Sequence, residues 1–315
     1  MRVQLVTPAP RGSRLGNRVT ALRWSIHLRA LGHEVRVREV LDDEPADVLV
    51  ALHAEKSADA LVGWRATRGT APAVLLMTGT DLYGAERLSA LTLESCARAD
   101  RIVVLQPGAT ERLPEEFHER MRCIPQSAVP PADPPPVDAD RFEVLVLAHL
   151  RAVKDPLLVA HAARLAPASS RLSALLAGEG LDPELTQAVQ AEERSNPRFR
   201  WLGPLNRGDA LRRLASSRLL VVTSHNEGGP AVVPEAIACG VGVLSTDMAA
   251  ARALLGPDHP GLFPVGDAPA LAALLLRAEE DPAFLELLRA ASARLQPEVS
   301  PTRERERIAA LLAEF

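Results

Sequence analysis

Aromatic residues are scarce in this 315-residue chain, at 3% of the whole with a single Tyr. A core built without them must be filled by Ala, Leu and Val, and an apolar content of 47% supplies enough. Cysteine is scarce too. Cys96, Cys123 and Cys239 sit far apart in apolar surroundings and form neither a Cys-x-x-Cys pair nor a disulfide framework. That excludes a disulfide-stapled scaffold and points to a reducing cytoplasm. No stretch approaches the roughly 20 apolar residues of a membrane span, and Met1-Arg2-Val3-Gln4-Leu5-Val6 reads as a strand opening, not as a signal peptide. Long runs of one charge are also missing; a net charge of −4 spread along the chain argues against a nucleic-acid partner. The histidines form no spaced cluster with acids or cysteines, and no Asp-x-Asp closes a strand, so no metal and no cofactor is demanded.

What is present is alternation. Short apolar runs at 3–6, 35–40, 48–52, 74–77 and 102–105 read as strands, and helical spacing fills 20–31 and 54–66. Strand-helix alternation implies a parallel sheet covered on both faces. Residues 125–140 break the pattern with Pro130, Pro131, Pro134, Pro135 and Pro136, a cluster that continues neither helix nor central strand. Strands resume at 144–148, 172–176, 199–202, 219–223 and 243–245. The expectation is an α/β chain with two Rossmann-like domains facing a cleft. Residues 1–128 make the first, 129–140 a linker and 141–300 the second, with a last amphipathic helix within 301–315 crossing back to the first domain. At this length each domain can hold its own core.

The chain is organised around residues 224–240, where a β-branched strand runs into a glycine turn and then an apolar helix. Such a turn leaves amides without internal partners, and the helix dipole adds positive charge, so an anion fits at Gly228 and Gly229. Glu227 and Glu235 bracket the turn eight residues apart. Their carboxylates suit hydroxyl groups on either side of a bound diphosphate, and the group with both features is a nucleotide sugar.

Other strand ends carry further candidates. Pro10-Arg11-Gly12-Ser13-Arg14-Leu15-Gly16-Asn17-Arg18 follows the first strand, where doubly wound sheets bind ligands. It lacks the G-x-G-x-x-G spacing of a dinucleotide site, but its guanidinium groups and free amides suit a compact oxyanion. His149, Arg151 and Lys154 end the first strand of the second half, and we expect Arg151 and Lys154 across the cleft from the glycine turn. Gly178 and the segment Trp201-Leu202-Gly203-Pro204-Leu205 are placed to shape a base pocket, although for Trp201 alone core packing is the better explanation. His53, Thr80 and Asp81 end strands of the first half; a cap explains Asp81, and a near-core position His53, as readily as contact with an acceptor.

Glu227-Gly228-Gly229-Pro230-Ala231-Val232-Val233-Pro234-Glu235, then Ala236-Ile237-Ala238-Cys239-Gly240, with Lys154 upstream, resembles the second domain of retaining GT-B glycosyltransferases of the family 4 group. More narrowly, Gly16-Asn17-Arg18-Val19-Thr20-Ala21-Leu22-Arg23-Trp24, Thr78-Gly79-Thr80-Asp81-Leu82-Tyr83, Gln126-Ser127-Ala128, His149-Leu150-Arg151 with Lys154-Asp155-Pro156, and Phe199-Arg200-Trp201-Leu202-Gly203 resemble the selenosugar synthases of selenoneine biosynthesis, over nearly the whole chain. The resemblance implies transfer of N-acetylglucosamine from UDP-N-acetylglucosamine to selenophosphate, giving a 1-selenosugar, UDP and phosphate, and a functional link to a selenophosphate synthetase.

Carried over by position, Glu227 meets donor sugar hydroxyls, and Gly228, Gly229, Pro230 and Lys154 lie at the diphosphate. Glu235 holds the ribose, and the 201–205 segment passes the uracil. The arginine loop, with Arg11, Gly12, Arg14, Gly16, Asn17 and Arg18, captures the acceptor. Two departures stand out. Gly-Gly-Pro follows Glu227 where the group has Gly-Phe-Gly-like residues, and His149 stands where it usually has Arg. The rival expectations are a family 4 transferase with a conventional alcohol or phosphate acceptor, and a non-catalytic nucleotide-sugar sensor. An NAD enzyme is disfavoured by the missing fingerprint.

Overall fold

The computed structural model of the chain describes residues 1–83 and 88–315, with the Thr80 side chain also left outside the described set. It divides into two compact units. Unit 1 comprises Met1–Ser127, Glu227–Ala231 and Ser300–Phe315, and unit 2 comprises Ala128–Asn226 and Val232–Val299.

Unit 1 holds a six-stranded parallel sheet of β1 (Arg2–Val6), β2 (Glu34–Arg38), β3 (Val48–Leu52), β4 (Ala73–Leu76), β5 (Arg101–Val104) and β6 (Met121–Cys123), in the order β2-β1-β3-β4-β5-β6. Its helices begin with α1 (Gly16–Ala30), α2 (Ala58–Arg68), α3 (Thr80–Tyr83) and α4 (Ala90–Arg98). Val3, Leu5, Trp24 and Leu28 pack on one face of the sheet, and Leu49, Ala51, Leu61 and Trp64 on the other. With so few aromatics, two fully buried indoles seal opposite faces of the same sheet.

Unit 2 holds a second parallel sheet of β7 (Phe142–Leu147), β8 (Leu172–Ala177), β9 (Phe199–Trp201), β10 (Leu219–Val222), β11 (Gly242–Thr246) and β12 (Leu262–Phe263), in the order β12-β11-β10-β7-β8-β9. Its helices are α5 (Leu158–Arg164), α6 (Pro183–Ser195), α7 (Arg207–Ala215), α8 (Val232–Ala238), α9 (Ala249–Leu255), α10 (Ala268–Glu280) and α11 (Pro282–Ala293). This is the doubly wound order, whose ligand crevice opens where strand order reverses, here at β7 and β10. In unit 1 the reversal lies at β1 and β3. Residues 129–140 carry neither helix nor strand.

The last helix, α12 (Pro301–Leu312), returns to unit 1 and buries Ile308, Leu311 and Leu312 beside Trp24 and Leu28. Its Glu304 carboxylate is fully buried. It accepts from Arg23 Nε at 3.0 Å and the Ser127 amide at 2.8 Å, and pairs with His27 Nε2 at 3.1 Å.

Some element bounds differ from expectation for local reasons. Strand β2 stops at Arg38 because its partner β1 ends at Val6, just before Pro8, and Val40 points to solvent. Helix α2 starts at Ala58, not 54, because His53 takes a left-handed φ of 73° and Ser57 Oγ turns back to donate to Leu52 O at 2.6 Å. The two edge strands β6 and β12, of three and two residues, are too short to leave a periodic signal.

Candidate functional site

In unit 2 the loops after β7 and β10 are tied side by side. Thr223 Oγ1 donates to Lys154 O at 2.7 Å, the His225 amide donates to Val153 O at 2.8 Å, and Thr246 Oγ1 donates to Ser224 O at 2.6 Å. Arg151 and Lys154 therefore leave the same edge of the same sheet as the loop running through Asn226. The reason is topological: β7 and β10 are hydrogen-bonded neighbours. Asp155 completes the turn in a left-handed conformation, φ 41°, with His225 Nε2 at 3.4 Å from its carboxylate. His149 accepts the Glu179 amide on Nδ1 at 3.1 Å and is half-buried; Arg151 is exposed.

Gly178 is spent inside the sheet. Its amide donates to Gly203 O at 2.9 Å, and its carbonyl accepts the Trp201 indole N–H at 3.0 Å. A Cβ there would come within 1.8 Å of Ala148 O, so glycine is required by the approach of β7's end. Of the residues expected at a base pocket, Trp201, Leu202, Gly203 and Leu205 form a braced segment, with Gly203 at φ 68°, in which Gly178 is the brace.

Helix α8 begins at Val232, two residues past Pro230, so Glu235 lies in its first turn. Its side chain is nearly buried and pairs through Oε1 with Arg207 at 3.0 Å. Arg207 opens α7, just after the braced segment, and sequence reading missed it because 28 residues separate the two partners.

Glu227–Ala231 cluster with unit 1. A Cβ on Gly228 would lie 2.1 Å from Gly79 Cα, and one on Gly229 would lie 2.8 Å from Leu105 Cβ. Gln126 Nε2, noted in the sequence only as part of the Gln126-Ser127-Ala128 string and with no role, donates to Gly229 O at 2.8 Å. Both glycines are thus demanded by neighbouring chain. Pro230 is buried and Glu227 half-buried.

At the strand reversal of unit 1, the loop after β1 turns at Gly12, φ 82°, where the Ser13 amide donates to Pro10 O at 3.1 Å. The Arg11 amide donates to Glu39, while the Arg11 and Arg14 side chains and Gly16 are exposed and Asn17 is half-buried. Arg18 differs. It is 8% exposed, and its Nε has no hydrogen-bond partner among the described residues; neither does the buried Ser13 Oγ. Helix α1 has no side-chain N-cap and no acid in its first turn. A buried guanidinium without an anion is costly, and here it stands in the first turn of a helix where the Arg18 and Val19 amides donate to Leu15 O at 2.9 and 3.1 Å but no side chain caps the end.

His53 follows β3, one residue past its last strand position. Burial pulls its pKa below the usual imidazole range, against the charge of Asp81, and the Lys56 amide donates to its Nδ1 at 3.3 Å, so the neutral ring carries its proton on Nε2. Asp81 is buried and accepts the amides of Ala54 at 2.9 Å, Thr78 at 3.1 Å and Gly79 at 2.7 Å. Its carboxylate braces the ends of β3 and β4, the capping alternative raised from the sequence. The Thr80 side chain lies outside the described residues. Among the described residues no cluster of three His, Cys, Asp or Glu is placed to hold a metal, and no helix is long and apolar enough to cross a membrane.

The sequence profile of the family described as "Glycosyl transferases group 1" matches residues 133–294, just over half of the chain. The chain belongs to this family. Among solved structures, this glycosyltransferase is similar to the sucrose-phosphate synthase of Thermosynechococcus elongatus (TM-score 0.79, 17% identity, 99% of this chain and 98% of that one). It is also similar to HepE of Anabaena in complex with UDP and glucose (TM-score 0.77, 18% identity, 100% of both chains). The pneumococcal O-GlcNAc transferase GtfA in complex with UDP and GlcNAc aligns with 93% of this chain and 59% of its own (TM-score 0.67, 15% identity). At these identities the likeness establishes the GT-B architecture. Among curated proteins the sequence finds no match.

Proposed function

We propose that this glycosyltransferase works in the cytoplasm and moves N-acetylglucosamine from UDP-N-acetylglucosamine to selenophosphate. A carbon–selenium bond forms as the anomeric bond to UDP breaks; water added across the Se–P bond then yields the 1-selenosugar and phosphate. On the donor side Glu235, Lys154 and the 201–205 segment take the nucleotide, and Glu227 with Gly228, Gly229 and Pro230 takes the sugar and diphosphate. Arg151 and His149 add a cation and a ring edge beside Lys154. A UDP-sugar donor is supported by the UDP complexes of HepE and GtfA, and N-acetylglucosamine by the GtfA complex.

The observation that carries the acceptor half is Arg18, a buried guanidinium with an unpartnered Nε at the uncapped start of α1. Together with Ser13 Oγ and the exposed Arg11 and Arg14, it suits a small tetrahedral oxyanion. Selenophosphate is already nucleophilic, so it needs capture and orientation, not deprotonation.

The test is incubation with UDP-N-acetylglucosamine and selenophosphate, with the selenosugar sought by mass spectrometry. Arg18→Ala is expected to raise the KM for selenophosphate about tenfold or more, the value of one charge-assisted hydrogen bond, while UDP binding stays within about twofold. Equal losses for UDP and selenophosphate would remove the assignment of this loop.

The second reading is a family 4 transferase with a conventional alcohol or phosphate acceptor. Products from alcohols and none from selenophosphate would establish it, and tight UDP binding without any turnover would instead favour a sensor.

A further inference from the structure

We propose that Arg207 is a positioning residue that sets the Glu235 carboxylate for the ribose of the nucleotide. This rests on the reading of unit 2 as the donor-binding unit. The pairing is direct, Arg207 to Glu235 Oε1 at 3.0 Å, and unequal: the Glu235 side chain is 11% exposed and that of Arg207 44%. A nearly buried carboxylate requires a charge partner, and this one comes from a different element.

Both ends are held. Asn206 caps α7, its side chain accepting the Asp209 amide at 2.9 Å, which fixes where Arg207 leaves the chain. Helix α8 is pinned by the Val241 amide on Ala236 O at 2.9 Å and by Gln296 Nε2 on Ile237 O at 3.1 Å. The residues just before Arg207 are the braced segment assigned to the base, so one ion pair links the base-reading loop to the ribose-reading carboxylate. A carboxylate offers about four acceptor positions, so pairing with Arg207 is compatible with accepting ribose hydroxyls. What the pair fixes is the rotamer and the charge of Glu235, which pre-organises it for a vicinal diol.

Binding of UDP and of 2′,3′-dideoxy-UDP to the full-length protein separates positioning from scaffolding. The wild-type protein is expected to prefer UDP. Arg207→Ala is expected to weaken UDP about tenfold, the worth of one charge-assisted hydrogen bond, and to leave dideoxy-UDP within about twofold. Arg207→Lys should recover part of the loss, and adding Arg207→Ala to Glu235→Gln should cost little more than Glu235→Gln alone. Equal weakening of both nucleotides by Arg207→Ala overturns the proposal, since Arg207 would then merely anchor α7. If wild type binds both nucleotides equally, Glu235 does not read the ribose and the proposal falls while the donor reading stands. If it binds neither, the donor reading falls as well.

Discussion

Glu304 shows how much one side chain holds. Burial pushes its carboxyl upward, but the hydrogen bond with His27, the charge of Arg23 and the Ser127 amide outweigh it and bring its pKa down to about 2 from 4.5. That difference corresponds to roughly 3 kcal/mol of folding free energy, in line with the cost of breaking a buried ion pair. Glu314, near the end of the chain, is also lowered to about 2, by hydrogen bonding with Arg122, yet it and its arginine partners are solvated. Solvent screening limits such a surface pair to about 1 kcal/mol or less. Glu304→Gln is therefore expected to lower the melting temperature by roughly 4–5 °C, and Glu314→Gln by about 1–2 °C at most. Equal shifts in calorimetry would show that burial is not what makes Glu304 matter. The same burial logic governs the thiols: Cys96 is raised to about 12 and Cys123 and Cys239 to about 11, so all three stay protonated and unreactive near neutral pH.

Among the elements, the meeting of β7 and β8 is the least tolerant. A methyl group on Gly178 would stand 1.8 Å from Ala148 O and 2.8 Å from the His149 nitrogen, both backbone atoms that cannot rotate away. Gly178→Ala is expected to cost about 3 kcal/mol or more by forcing two strands apart. Gly208→Ala, in the first turn of α7, meets only Asn206 Oδ1 at 3.4 Å and should be neutral or mildly stabilising. Urea melts of the two variants make the comparison, and matching midpoints would refute the steric account. Gly178 was visible in the sequence as a strand-ending glycine, but not as a brace, because the atom it must avoid is thirty residues away. The long strands were legible because unbroken Val, Leu and Ile runs between Pro and Gly leave few alternatives. The start of α8 was not, since Pro230 and Pro234 both fit the beginning of a helix and only the structure separates them. Arg207 itself and the contact made by Gln126 were invisible for a related reason: each acts on a partner brought to it by tertiary packing. Arg11, Arg14 and Arg18 look alike on paper, and only folding buries the third.

Across the whole molecule, stability toward acid should follow two histidines in different units. Burial, helped by Arg294, lowers His259 in unit 2 from 6.5 to about 4, and its Nδ1 accepts the Gly261 amide at 3.2 Å. Burial also lowers His53 in unit 1, with the charge of Asp81 acting the other way. Each folded unit therefore holds a neutral imidazole where the unfolded chain takes up a proton near pH 6.5. Between the folded and unfolded values the unfolded state binds more protons, so stability rises with pH through that window. For His259 the contribution is complete above about pH 6.5 and is lost as pH falls toward about 4. Glu304 runs over a lower range: its contribution is intact above about 4.5 and fades only as pH approaches about 2. Melting temperatures between pH 4 and 8 should thus climb to a plateau near pH 6.5–7 while Glu304 stays charged throughout. Replacing His259 by Asn, which keeps an acceptor for the Gly261 amide but does not titrate, should flatten part of that climb; His53→Asn should flatten another part independently, because the two sites lie in separate units. A climb unchanged in the double variant would mean that neither buried imidazole sets the acid limit of the fold.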